Sequence, residues 1–91
     1  MKIQELHIAL QKLGISEDKY YIQGLYGSMN DEDKLSMVVK KGSYFLEYEI
    51  YFKERGEKSF LKVFTNEDEA CQYFYKQLKE DREIENRWIF K

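Results

Sequence analysis

Ile3, Leu6, Leu10 and Leu13 recur at steps of three and four, the spacing that lines one face of a helix, and Gly14 stands where a left-handed C-cap ends one. The pattern predicts a helix over residues 2–13. Tyr20, Tyr21 and Ile22 then predict a short strand, after which Gly24, Gly27, Ser28 and Asn30 predict a flexible loop. From Leu35 the period changes to two. "LSMVVKK" and "YFLEYEIYFK" read as strands joined by a tight turn at Gly42 and Ser43, and "KSFLKVF" returns after the turn "ERG". The long strand puts Tyr44, Leu46, Tyr48, Ile50 and Phe52 on one face, expected to be the core, and Phe45, Glu47, Glu49, Tyr51 and Lys53 on the other.

The register of the hairpin around "ERG" decides which residues join which face, because a slip of one residue exchanges them. An even loop sets Leu61 and Val63 on the Tyr48 and Ile50 face, whereas a three-residue loop with Gly56 in a bulge sets Phe60 and Phe64 there. The even loop is preferred. It keeps aliphatic side chains against the core and lets Lys62 face Glu47 and Glu49. Downstream, Thr65 or Asn66 reads as an N-cap, with Glu69 completing a capping box and Glu67 and Asp68 at the positive end of the dipole. Ala70, Phe74 and Leu78, with Cys71 and Tyr75 beside them, form the apolar stripe of this second helix. The stripe is lost in "KEDRE", residues 79–83, where the helix is expected to fray. The tail "IENRWIFK" has to place Trp88 in a last helical turn, an edge strand or a contact surface. The fold expected is therefore α+β: an N-terminal helix, an antiparallel meander of three to four strands, and a C-terminal helix packed on the sheet, in one domain spanning 1–91.

Composition narrows the chemistry. Fifteen basic against 17 acidic side chains leave a net charge of −2, which gives no reason to expect direct nucleic-acid contact and suits a basic protein partner better. The lone Cys71 excludes an internal disulfide and a thiolate zinc site, and points to a reducing compartment, the cytoplasm. Charged residues interrupt every apolar run, so neither a signal peptide nor a membrane span is expected. His7, the single histidine, reads as a boundary residue with a solvated edge, and no serine has a plausible histidine relay. "NDEDK", residues 30–34, alternates like a calcium loop but lacks that loop's glycine and distal glutamate, which leaves Asp31, Glu32 and Asp33 as a solvated acidic loop. No cofactor and no metal are implied.

Two surfaces remain. Glu47 and Glu49 project from one strand face about 6 to 7 Å apart, a separation that a small carboxylate-dependent hydrolase can use. The same face, with Phe45 and Tyr51, has the mixed aromatic and acidic character of a protein-binding patch, unless the first helix covers it. A homodimeric scaffold burying this face or the Trp88 tail is the third possibility.

The segment "YEIYFKERGEKSFLKVFTNEDEACQYFYKQL", residues 48–78, is similar to small immunity proteins of bacterial polymorphic-toxin and contact-dependent inhibition systems. The features that carry the similarity are an aromatic strand, the ERG turn, a returning strand ending in Phe, and an acidic cap running into Glu-Ala-Cys-x-Tyr-Phe. The resemblance implies a cytoplasmic, non-catalytic protein that binds a cognate toxin domain, often a nuclease, and covers its active site or substrate path; the chain itself is expected to be a monomer or a weak homodimer. It implies a structural role for Glu54, Arg55, Gly56, Glu69, Ala70, Cys71, Tyr73 and Phe74. Toxin contacts are then expected from the 24–34 loop with Asp31, Glu32 and Asp33, from the face of Phe45, Glu47, Glu49 and Tyr51, and from Trp88.

Overall fold

The first helix forms where the three-and-four spacing places it. α1 (Ile3–Lys12) turns Leu6 and Leu10 fully inward, with Ile3 and Leu13 partly covered beside them. The computed structural model describes residues 1–89, with side chains through residue 83. In the first turn of α1, amides that lack an intrahelical acceptor find carboxylates: Lys2 N–H donates to Glu5 at 2.9 Å and Ile3 N–H donates to Glu67 at 3.1 Å. The N-terminal ammonium meets Asp68. α1 thus begins beside the first turn of α2 (Glu67–Ile89), and just beyond its other end Gly14 lies under the Arg82 guanidinium of α2. The two helices run side by side in the same direction.

α2 starts as its cap predicts, with Asn66 Oδ1 accepting from Glu69 N–H at 3.0 Å. It does not fray at 79–83 but continues to Ile89. Losing the apolar stripe removes packing, yet Lys, Glu and Arg are good helix formers and no Gly or Pro interrupts them.

Five strands follow the order β2, β1, β3, β4, β5, with β1 (Tyr20–Ile22), β2 (Tyr26–Gly27), β3 (Lys34–Lys41), β4 (Leu46–Glu54) and β5 (Glu57–Phe64). The expected antiparallel meander is found for β3, β4 and β5, but the sheet as a whole is mixed. β1 lies parallel to β3, Tyr20 beside Leu35 and Ile22 beside Met37. The parallel pair arises because β2 first returns antiparallel on the outside of β1, so the following loop delivers Lys34 beside the start of β1. Gly27 makes that return possible: its φ is +82°, and a side chain there would collide with the Tyr20 carbonyl and ring.

The even hairpin loop is observed. Arg55 (φ 53°) and Gly56 (φ 81°) are both left-handed between the paired residues Glu54 and Glu57, the backbone of a two-residue I′ turn. The expected face assignment nevertheless fails further along. Tyr51 pairs with Phe60, but Ile50 pairs with Lys62, so Leu61 is an extra residue in a bulge. Beyond the bulge the alternation is exchanged. Phe64, not Val63, stands beside Tyr48, and its ring meets Tyr73 of α2 at 5.5 Å. Lys62 lies over Phe64 and Tyr73 instead of facing Glu47 and Glu49. Each half of β5 follows a different one of the two registers.

Both helices pack on one sheet face. Leu6, Leu10, Ala70, Cys71, Phe74 and Leu78 meet Tyr20, Ile22, Leu35, Met37, Tyr48 and Ile50 in a single core. Of the long strand's expected core face, Tyr48 and Ile50 are buried, whereas Leu46 is half-exposed and Tyr44 is 91% exposed because it precedes β4 in the turn.

Candidate interaction face

Neither helix covers the opposite face of the sheet. Tyr21 stands beside Ser36, Ser36 beside Tyr51, and Tyr51 beside Phe60, a row crossing four strands on that open face. Despite having no layer above them, Tyr51 and Ser36 are 1% and 0% exposed. Neighbouring side chains close over them: the Lys58 ammonium sits 4.7 Å from the Tyr51 ring centroid, and Phe60 lies 5.8 Å away. The Ser36 hydroxyl donates to the Lys34 carbonyl at 3.2 Å.

The Tyr51 hydroxyl donates to Asp31 Oδ2 at 2.6 Å, and Lys53 lies 3.3 Å from Asp31 and 3.0 Å from Glu32. The Tyr51 hydrogen bond, with Lys53 next, holds the Asp31 carboxyl below its ordinary range. Burial, then Asp31, pushes the Tyr51 hydroxyl well above its usual value, while Glu32 followed by Asp31 raises the Lys53 ammonium. The segment between β2 and β3 is therefore stapled to β4, where a flexible loop was expected. Asp33 N–H donates to the Lys53 carbonyl at 2.7 Å, Glu32 N–H to Asn30 Oδ1 at 3.1 Å, and Lys34 Nζ to Ser28 Oγ at 2.9 Å.

The expected contact residues separate into groups. Asp31 and Glu32 converge on Lys53 while Tyr51 donates to Asp31, and Glu47 and Glu49 share the same open face through their pairing with Lys40 and Val38. Glu49 is bound to Lys40 at 3.2 Å. With Lys40, Lys53 and Lys58 interleaved among the carboxylates, this face is balanced in charge rather than acidic. Asp33 is turned aside at φ 55° and lines a cavity of about 440 Å³ floored by Ile15, Leu35, Phe52 and Leu78. Phe45, 68% exposed, lies in the β3–β4 turn, with its carbonyl accepting from Gly42 N–H. The Trp88 side chain lies outside the described residues. Phe60, Leu61 and Val63, each about half-exposed on β5, were not picked out from sequence as contacts; Phe60 follows the even register, whereas Leu61 and Val63 leave the expected core face through a bulge that has no periodic trace.

Two other groups have structural explanations. His7, expected at a solvated edge, is a junction: its Nδ1 is 2.9 Å from the Tyr20 hydroxyl, its ring stacks on Tyr26 at 4.6 Å, and Nε2 is 3.5 Å from Glu17. Cys71 is buried, and burial pushes its thiol up to about 12, far from a reactive thiolate. No group of His, Cys, Asp and Glu among the described residues is placed to hold a metal ion, and none of the described helices is long and apolar enough to cross a membrane.

No protein-family model matches the chain, and no curated protein and no solved structure is found to be similar to it.

Proposed function

We propose that this chain is a cytoplasmic immunity protein that neutralises a bacterial toxin domain by one-to-one binding, with the open sheet face as the contact. The observation that carries this reading is a sheet face without a second layer among the described residues, on which Phe60, Leu61 and Val63 are exposed beside the buried, hydrogen-bonded Tyr51. An exposed aromatic side chain with apolar neighbours, here Phe60 with Leu61 and Val63, ringed by polar groups is an arrangement that concentrates binding energy. The choice of partner rests on the resemblance drawn from the sequence pattern of residues 48–78 alone. A catalytic reading finds less support, because Glu49 is engaged by Lys40 and the cavity beside Asp33 contains neither Glu47 nor Glu49.

The test is titration of the toxin domain encoded beside this gene against the purified protein. Toxin activity is expected to vanish at equimolar ratio. The double substitution Phe60→Asp and Val63→Asp is expected to weaken inhibition at least 100-fold while leaving the circular dichroism spectrum unchanged. Absence of a toxin-like neighbouring reading frame, or full toxin activity at excess protein, rejects the assignment.

A further inference from the structure

Among the described residues β5 is an edge strand that pairs only with β4, and its other long side is bare. Residues 57–63 are all exposed, among them the apolar Phe60, Leu61 and Val63. Such an edge invites another strand, and folded proteins blunt it with lysines and bulges. Both are present here. The lysines that flank Phe60 on this edge, Lys58 and Lys62, are both exposed. Neither lysine forms an ion pair with any described residue. Two ammonium groups without a carboxylate partner on a bare edge suit an added strand of opposite charge.

The bulge adds a geometric condition. Lys58 pairs with Lys53 on the open face, whereas Lys62 pairs with Ile50 on the helix face, so the two ammonium groups leave β5 on opposite sides although they are an even number of residues apart. In β4 the residues opposite them, Lys53 and Ile50, are three apart. A regular strand added to the free edge has to meet the same faces, which requires an odd spacing.

We propose that the free edge of β5 accepts an extended segment of the partner protein with an apolar centre and two carboxylates three residues apart, one for Lys58 and one for Lys62. This rests on the reading of the chain as a binding protein, and it specifies how the partner is engaged. The toxin itself is not needed to test it. The probe is a cyclic β-hairpin peptide presenting Glu-Val-Val-Glu on its free edge, titrated into the isotope-labelled protein and followed by amide shifts. A second peptide with its glutamates four apart, both on one face, and a third with lysines in place of glutamates serve as comparisons.

The three-apart peptide is expected to shift the amides of residues 57–64 and to slow their hydrogen exchange. The four-apart peptide is expected to bind about fivefold more weakly, the scale of one lost cross-strand charge pair, and the lysine peptide more weakly still. In the variant Lys58→Glu/Lys62→Glu, a change confined to exposed side chains, the preference is expected to invert toward the lysine peptide. Equal binding of all three peptides, shifts centred away from β5, or no shift with any of them overturns the edge proposal. Each of these results is distinct from failure of the toxin titration, which bears on the function alone.

Discussion

The two faces of the sheet reach similar burial by different means. On the covered face, Ile22, Met37 and Ile50 are fully buried because α1 and α2 lie over them, and the interior is almost wholly apolar. On the open face, Tyr51 and Ser36 are as well enclosed, but by flexible neighbours at their own level: a lysine stem, a phenylalanine edge and a carboxylate. A layer supplies burial by area and tolerates no polar group without a partner. A rim supplies it side chain by side chain, and each polar atom beneath has its own hydrogen bond. The consequence is a surface whose centre is already held, which would reduce the ordering cost of any binding there.

The largest expected effect separates the faces directly. Phe74 is fully buried and meets Tyr20 edge-on with centroids 6.5 Å apart, so Phe74→Ala should cost about 3 to 5 kcal/mol in urea unfolding. That is a large part of the roughly 5 to 15 kcal/mol of a domain this size. Phe60→Ala, on the rim and 57% exposed, should cost about 1 kcal/mol or less. Comparable losses for the two would mean that the open face is packed like the covered one.

Next is the bond that holds the open face together. Tyr51→Phe removes the donor to Asp31 and should cost about 1.5 to 3 kcal/mol at neutral pH, the scale of a hydrogen bond to a charged group. Its pH dependence has a definite sign. The folded-state pKa of Asp31 is depressed, first by Tyr51 and then by Lys53, so its contribution is fully present above the unfolded value, near ~3.9, and is lost as pH falls through the lower folded value. The difference between wild type and Tyr51→Phe should therefore be widest at pH 6 and shrink below pH ~4. A difference constant down to the folded pKa would show that Asp31 is not the group responsible.

The covered face was the more legible of the two in the sequence, for a physical reason. Leu6, Leu10, Ala70, Phe74 and Leu78 recur at helical spacing because two long elements must each bury one stripe, and both helices were read from that period. Tyr20–Ile22 was also readable from local residue types, whereas the even loop at Arg55 and Gly56, though found, was preferred for pairings of Leu61, Val63 and Lys62 that the bulge exchanges. The parallel pairing of β1 with β3 was not readable, since it depends on where β2 returns, and two residues carry no period. The bulge at Leu61 was hidden as well: a single extra residue exchanges two faces that are both partly apolar, so Phe64 and Val63 are interchangeable by hydrophobicity and only Tyr73 across the interface distinguishes them. Of the candidate contact residues, Asp31 and Tyr51 were named separately. Their contact joins positions twenty apart in the chain, a distance that no periodic pattern records.

The smallest effect tests how wet the open face is. Lys40 and Glu49 lie 3.2 Å apart on neighbouring strands, with Lys40 mostly exposed and the Glu49 side chain 16% exposed. In a double-mutant cycle with Lys40→Ala and Glu49→Gln, an ion pair under water should show coupling of about 0.2 to 1 kcal/mol. Raising the salt to 1 M, where the screening length is about 3 Å, should remove most of it. A coupling well above that range and insensitive to salt would place Glu49 in a dry environment, and the rim would then shield more of the face than Tyr51 and Ser36 alone. A partner docking there would displace fewer waters from its centre, and the polar positions around Glu49 would have to be matched by the partner rather than left to solvent, because a buried carboxylate whose lysine is disturbed loses far more than an exposed one gains.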